Sequence, residues 1–543
     1  GKTSGVDNAH IADRLEALAT VLELAEANPY TARAYRRAAE AIRGAALPVA
    51  ELVRAGRARE LRGVGPGIEA RLRELLDTGE IAELADLERE LAPDLVGLGR
   101  YLGLGAKRSI ELARSLGVHT ADELREAAAE GRLRTVPGIG PKTEARLLEA
   151  LTRETELRSG RGLTLNRARE LAGAIAAALH GEAAGDVRRW RDVCEVLAVV
   201  CPAPDPAPVL ERFSSLPQIV AVIEQAERRA VGVTVDGVPI ELVAAEPARY
   251  GTALMRATGA PVYVAALEPL PEAPDEESVY RQLGLAWCPP ELREEPFRGE
   301  PPALLELTHI RGDLHSHSTW SDGRASVEDM GRAARERGYE YLAICDHTPA
   351  VGAVRGLTPD DVRRQSEEIA AANALLAPFR VLRGIECDIL PDGRLDLPDA
   401  VLAELDWVQA SVHGGQRMPR REMTKRVEEA LGNPYVRCLS HPTGRLINRR
   451  PENALDLDRV FEVARRENVA LEVNGLPDRL DLSGEHVREA IRAGVNIVCS
   501  TDAHSVRGLE NMVLSIATAR RGWATAAHVL NTRTLPGLLT VGR

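Results

Sequence analysis

Twelve histidines occur in 543 residues, and six of them close short apolar segments late in the chain, together with three acids. The stretch DLHSHSTWSDG carries His315 and His317 one residue apart, with Asp322 soon after. Then come His347 beside Asp346, Glu386, His413, His441, and Asp502 with His504. Side chains two apart on a strand point to the same face, so both imidazoles of an H-x-H pair can reach one cation. A carboxylate such as Glu386 can bridge two cations through its separate oxygens. Neutral imidazoles with carboxylates suit Zn, Mn or Fe better than Ca or Mg. Any one of these histidines alone reads as a satisfied polar group of a core, but nine such residues at the ends of consecutive segments read as a metal site.

The elements that must bring these residues together are strands. YLAICDH, VLRGIECDI, WVQASVHGG, VRCLSHP, VALEVNG and NIVCSTDAHS are apolar runs that each end in polar or charged residues, and helical patterns alternate with them. Parallel strands with such endings are what an α/β barrel presents at its catalytic face.

The first 160 or so residues read instead as short amphipathic helices separated by Gly-rich turns. A pattern recurs there: LRGVGPGIEARLREL at Leu61 to Leu75, LGLGAKRSIELARSL at Leu102 to Leu116, and VPGIGPKTEARLLEAL at Val136 to Leu151. Each is an apolar residue, a Gly-x-Gly turn and a helix, which sets successive backbone N–H groups beside the positive end of a helix dipole. Gly63, Gly65, Gly103, Gly105, Gly138, Gly140 and Lys142 are the candidate backbone-binding residues, against the plainer reading of glycines that allow tight helix joints. Between them and the barrel, VCEVLAVVC and the pair AVGVTVDG and VPIELVAA, joined across Asp236-Gly237, predict a small sheet with a hairpin. CPPELREEPFRGEPPALLE reads as a linker.

Composition bounds these readings. Apolar residues make up 44% and charged ones 28% of the chain, a globular balance, and the length predicts about three or four domains. No apolar run of about 18 residues occurs and the amino end is polar, so neither a membrane span nor a secretory signal is expected, and a cytoplasmic, nucleoid-associated protein is. The seven cysteines, Cys194, Cys201, Cys288, Cys345, Cys387, Cys438 and Cys499, are scattered without CxxC spacing and are expected to be reduced core residues. The net charge of −12 weighs against nucleic acid, yet it averages over domains and leaves room for a local phosphate site. Only Lys2, Lys107, Lys142 and Lys425 are lysines.

The segments HSHSTWSDG, CDHT, GIECDI, SVHGG, SHPTG and STDAHS resemble the motif series of the PHP (polymerase and histidinol phosphatase) domain. That resemblance implies a distorted (β/α)7 barrel from residue 310 to 543 with three metal ions. His315, His317, Glu386 and Asp502 would hold one ion, Glu386, His413 and His441 a second, and Asp322, His347 and His504 a third. The implied reaction is phosphoester hydrolysis by a metal-activated water, with Glu386, His413 and Asp502 at its centre and Arg445 and Arg479 as candidate phosphate contacts. GVGPGIEARL and GIGPKTEARL likewise resemble helix-hairpin-helix motifs, which grip a nucleic-acid backbone without reading sequence.

The order of parts is similar to that of bacterial and archaeal family X DNA polymerases. It implies a helical DNA-binding domain at 1–90, a helix-hairpin-helix (fingers-like) domain at 91–158, a palm and thumb at 159–290, a linker at 291–309 and the PHP domain at 310–543. The polymerase site departs from the family pattern G-S-x-R-R, Asp-x-Asp and a third Asp. Here stand Asp186 with Arg188, then Glu195 and Leu197, and finally Glu241. Leucine cannot bind a cation, so the palm is read as degenerate, and Mg enters only if it is active. No lysine lies between Lys2 and Lys107 to form the Schiff base of a deoxyribose-phosphate lyase. The expectation is a monomeric, metal-dependent 3′-5′ exonuclease of DNA repair acting on gapped, nicked or 3′-ended DNA, with cutting at abasic sites as an extension. The alternatives are an active gap-filling polymerase with relaxed metal ligands, a small-molecule phosphatase of the histidinol-phosphate type, and a non-catalytic DNA-binding scaffold.

Overall fold

The computed structural model describes residues 8–24, 29–45, 47–91, 106–118, 121–152 and 162–540. The glycines Gly103 and Gly105 of the second hairpin, and Lys2, lie outside the described residues. The chain divides into two compact units, one of residues 1–189, 193–287 and 295–297, the other of 190–192, 288–294 and 298–543.

In the first unit, helices Asn8–Leu24 and Pro29–Arg43 bury Leu15, Leu18, Ala38 and Ile42 in one core with Leu72 of helix Pro66–Thr78. The first and third hairpins are built alike. Gly63 (φ 94°) and Gly138 (φ 84°) turn the chain in the left-handed region, and Pro66 and Pro141 open the helices that follow, where a missing N–H costs nothing. Glu69 is held by Arg59 at 2.5 Å, and Glu144, at the matching place, by Arg134 at 2.8 Å.

The mixed region holds β1 (Leu163–Thr164), β2 (Glu182–Ala184), β3 (Val193–Cys194), β4 (Leu197–Pro202), β5 (Ile219–Gln225), β6 (Arg229–Thr234) and β7 (Pro239–Ala245). Five of them form a sheet in the order β2-β4-β7-β6-β5, with β4 parallel to β7 and β6 antiparallel to both of its neighbours. The hairpin across Asp236-Gly237 is present, with Gly237 at φ 74°. VCEVLAVVC is not one strand: its first two residues, as β3, pair with β1, and β4 starts only after Glu195-Val196.

The second unit contains β8 (Gly312–Ser316), β9 (Tyr341–Ile344), β10 (Arg380–Asp388), β11 (Trp407–Ser411), β12 (Cys438–Leu439), β13 (Ala470–Asn474) and β14 (Ile497–Ser500), seven parallel strands in sequence order. The barrel is nearly closed, the His317 amide bonding to the Ala503 carbonyl at 2.8 Å where the last strand returns to the first. The two-residue strand period sorts the side chains. Val408, Leu439, Leu471, Val473 and Ile497 face outward into the helices. Inside, a floor of Trp407, Cys438, Ala470 and Val498 gives way, two residues further along each strand, to Gln409, Ser440, Glu472 and Ser500, while on β10 Leu382 is followed inward by Gly384 and then Glu386. All seven cysteines are buried and none is in a disulfide. No helix among the described residues is long and apolar enough to cross a membrane.

Candidate metal centre

The upper end of that barrel gathers the histidines and acids. His315, His317, Glu386 and Asp502 offer ligand atoms that all lie within 4.8 Å of one another. His315 Nε2 is 3.2 Å from His317 Nε2, and His317 Nε2 is 2.8 Å from Asp502 Oδ1. His317, Asp322, His347 and His504 form a second such group, with Asp322 Oδ2 3.1 Å from His504 Nε2 and 3.4 Å from His347 Nε2.

Glu386, 1% exposed, joins them to the rest. Its Oε2 faces His315, His317 and His347 at 3.2, 3.4 and 3.3 Å, and its Oε1 faces His441 at 2.8 Å and His413 at 3.4 Å. His347, Glu386 and His413 make a third convergent group. His347 thus belongs to two groups, and His317 joins the one around Asp322, so these two residues are shared more widely than the pattern in the sequence implied.

The electrostatics fit cation ligands. Burial, with His504 and His347 close by, pushes His317 down to about 4, so its imidazole is neutral near pH 7. Burial opposes ionisation of Glu386, yet His315, His347 and His413 hold it well below the usual carboxylate range. Burial also opposes protonation of His413 and His504, but Glu386 with Asp388, and Asp322 with Asp502, lift them to about 9. Protons are therefore shared among the atoms that a divalent ion would take over. The Nδ1 atoms of His317, His347 and His441 are buried with no hydrogen-bond partner, a deficit that ligation would repair at any of them that faces the ion. The donor set thus fits metal binding.

Other residues hold this set without belonging to it. Asp346, in the same DH dipeptide as His347, is turned away to bind Ser318 Oγ (2.6 Å), Ser321 Oγ (2.5 Å) and Gln365 Nε2 (2.6 Å), which ties down the loop carrying Asp322. Asp388 lies 3.0 Å from His413 Nδ1 and orients that ring. Glu472 lies 2.5 Å from His315 Nδ1. Sequence reasoning passed over Asp388 and Glu472; Asp388 could have been found from its place two residues after Glu386, whereas Glu472 carried no such signal. Arg445 is engaged by the carbonyls of Arg479 and Leu480 and by Asp192 at 2.8 Å, whereas Arg479 keeps a buried Nη1 without a partner.

The residues of the polymerase pattern are differently placed. Asp186 accepts the backbone amides of Glu195 (2.9 Å) and Val196 (3.2 Å) and the Arg189 guanidinium (2.7 Å). Arg188 is paired bidentately with Glu276 at 2.7 and 2.8 Å and with Thr258 at 2.9 Å. Leu197 is fully buried, and Glu195 is half-buried just ahead of it. The register pairs Leu197 with Ile240 and Ala198 with Glu241, and partners in a parallel ladder point to the same side. Glu241 therefore faces away from the Leu197 side, and Arg229 holds it at 3.3 Å.

Residues 6–81 match a helix-hairpin-helix domain, 98–153 a SAM-like helix-hairpin-helix tandem, and 313–475 the PHP domain. Fold and site together define a PHP-domain protein of the phosphoesterase type that carries helix-hairpin-helix modules. A Bacillus subtilis (strain 168) protein named DNA polymerase/3′-5′ exonuclease PolX is 36% identical, over 96% of each chain, and this chain belongs to the PolX family. A protein of Acetivibrio thermocellus named Probable phosphatase is 32% identical over 35% of this chain and 78% of its own length. A Photobacterium profundum protein, also named a probable phosphatase, is 28% identical over 37% of this chain and 80% of its own.

Proposed function

We propose that this chain is a metal-dependent 3′-5′ exonuclease of DNA repair whose only working active site is the PHP barrel. The observation that carries the reading is Glu386, which divides its two carboxylate oxygens between two sets of imidazoles at the open end of the barrel. The assignment is three divalent ions, Zn, Mn or Fe: one on His315, His317, Glu386 and Asp502, one on Glu386, His413 and His441, one on Asp322, His347 and His504. Bound there, the ions supply a water of lowered pKa and neutralise charge building on the scissile phosphate. The protein's part is to keep His317 neutral, to keep Glu386 ionised, and to orient His413 through Asp388. Arg479, with its unpartnered Nη1, is the better of the two phosphate candidates, because Arg445 is already engaged.

The helical segments 1–90 and 91–158 are assigned to holding DNA through Gly63, Gly65, Gly138, Gly140 and Lys142, with gapped, nicked or 3′-ended DNA as substrate and a cytoplasmic monomer as the working form. Residues 159–290 are assigned as a palm that no longer polymerises. Asp186 supports this, because its carboxylate already takes the amides and the guanidinium that would otherwise meet a phosphate, and so does the neutral, buried Leu197.

One labelled primer–template, followed side by side for shortening and extension with Mn²⁺, tests both halves. Wild type should shorten it; Glu386→Ala and His413→Ala should each lose that activity by at least about 100-fold. Wild-type nuclease rates in both variants would sink the proposal. The phosphatase reading predicts preference for a small phosphomonoester over the oligonucleotide, and comparing the two turnovers decides it.

A further inference from the structure

Strand β13, ALEVN, supplies none of the nine histidines and acids, yet two of its inward side chains lie beneath three of them. Glu472 and Asn474 are both fully buried. Glu472 Oε1 lies 2.5 Å from His315 Nδ1, and its Oε2 accepts the backbone N–H of His441 at 2.6 Å. Asn474 Nδ2 donates to Glu472 Oε2 at 3.2 Å and to Asp502 Oδ2 at 2.9 Å.

Each contact has a consequence in the layer above. For His315 to turn a lone pair on Nε2 toward His317 and Glu386, its proton must sit on Nδ1. An acceptor-only carboxylate facing Nδ1 enforces that tautomer. Its other neighbours there, Gln409 and Ser440, can both donate, and by themselves leave the choice open. His441 has φ 27°, in the left-handed region that costs a residue with a Cβ about 1–2 kcal/mol. The grip of Glu472 on its amide keeps that turn, and the turn carries His441 Nε2 to within 2.8 Å of Glu386 Oε1.

We infer that Glu472 is the positioning residue of the metal centre: it fixes the ring tautomer of His315 and the backbone turn of His441 together, and through Asn474 it extends to Asp502. One buried carboxylate thus assembles both sides of the Glu386 bridge from a strand that donates no ligand. The inference rests on the metal-binding reading proposed above.

The test uses the full chain as wild type, Glu472→Gln, Glu472→Asp and Asn474→Ala, stripped of metal and titrated with Mn²⁺ or Zn²⁺. Metal stoichiometry, affinity and melting temperature are read with and without the ion. Glu472→Gln should lower the metal-free melting temperature only slightly, because the side-chain oxygen of Gln can still accept the His441 N–H. It should lose about 10–100-fold in metal affinity, with a smaller metal-induced rise in melting temperature. Glu472→Asp should recover part of the loss, and Asn474→Ala should weaken binding less. In Zn-loaded wild type, nitrogen-resolved histidine spectra should show His315 protonated on Nδ1; this measurement stands even if a variant does not fold. Unchanged metal affinity in Glu472→Gln, or His315 protonated on Nε2, overturns the assignment while leaving the metal reading intact. Wild type that binds neither ion removes both.

Discussion

At the scale of single residues, two carboxylates have opposite fates. Glu386 is surrounded by imidazoles that each direct a ring nitrogen toward it, so it stays ionised and available to a cation. Asp186 is surrounded by donors that its own charge satisfies, and a phosphate brought there would have to compete with that carboxylate for them. On the proposal that residues 159–290 no longer polymerise, restoring one metal ligand is not enough to bring the activity back. Leu197→Asp should give no dNTP incorporation in a primer-extension assay with Mg²⁺ or Mn²⁺, because Asp186 still holds the amides of Glu195 and Val196 and Arg188 still belongs to Glu276. It should also destabilise the five-stranded sheet by about 2–4 kcal/mol, since it places an unpaired charge where a leucine is fully buried. Appreciable extension by that variant would show that the seat is open. The nine ligand candidates were legible in the sequence because histidines are few and because they recur at or near the ends of successive apolar runs. Glu472 was not, since E in LEVN differs in no local way from an exposed glutamate until the strand's inward register is known. Glu241 shows the converse limit: residue type suggested a third metal ligand, but only the ladder with β4 reveals that it lies on the face away from Leu197.

At the scale of elements, the two described hairpins carry a shared constraint. Gly63 and Gly138 sit at φ 94° and 84°, where a Cβ is strained, and each turn leads straight into a proline-opened helix. Gly63→Ala and Gly138→Ala should each distort one turn at about 1–2 kcal/mol. DNA affinity, measured by fluorescence anisotropy on two unrelated sequences, should fall several-fold and equally for both, because the contact is to the backbone. A loss confined to one sequence would contradict backbone gripping. A different element gives a pH dependence. Helix Gly484–Arg492 carries His486, whose ring nitrogens meet Glu452 at 3.0 Å and Glu489 at 3.2 Å, and the Glu452 hydrogen bond lifts it to about 9. A raised pKa means that the folded state favours the proton, so the contribution is full below the ordinary value near 6.5 and disappears as pH rises through about 9. His486→Gln should lower the barrel's stability at pH 6 by on the order of 1 kcal/mol, given that water screens the exposed Glu452, and by little at pH 10. Urea midpoints at the two pH values check this, and an equal deficit at both would mean that the loss is packing and not charge. The repeats were legible because apolar spacing and glycine pairs coincide. The split of VCEVLAVVC into β3 and β4 was not, because the run stays hydrophobic while the chain changes its partner.

At the scale of the whole molecule, a net charge of −12 and a DNA-holding role are compatible only if phosphates are met by local groups and not by the average surface. The two described hairpins offer backbone amides at helix starts, and Lys142 follows one of their turns, which is such a local arrangement. The same division appears in stability. Each compact unit has its own buried core, one built on Leu15, Leu18 and Leu72, the other on the barrel's outward valines, leucines and isoleucines, and every candidate ligand belongs to the second. An ion that binds the folded barrel and not its unfolded chain stabilises that unit alone, by about 2.7 kcal/mol when it is present at a hundred times its dissociation constant. In a unit of this size, each kcal/mol moves the midpoint by about 2–4 °C. Scanning calorimetry of the full chain should therefore resolve two transitions. Chelation should lower one of them by at least about 5 °C and leave the other where it was, and Glu386→Ala should reproduce the chelated position without a chelator. A single transition that moves as a whole would mean that the ions stabilise the first unit as well, and the metal centre would then have to be counted as part of the fold of the entire chain.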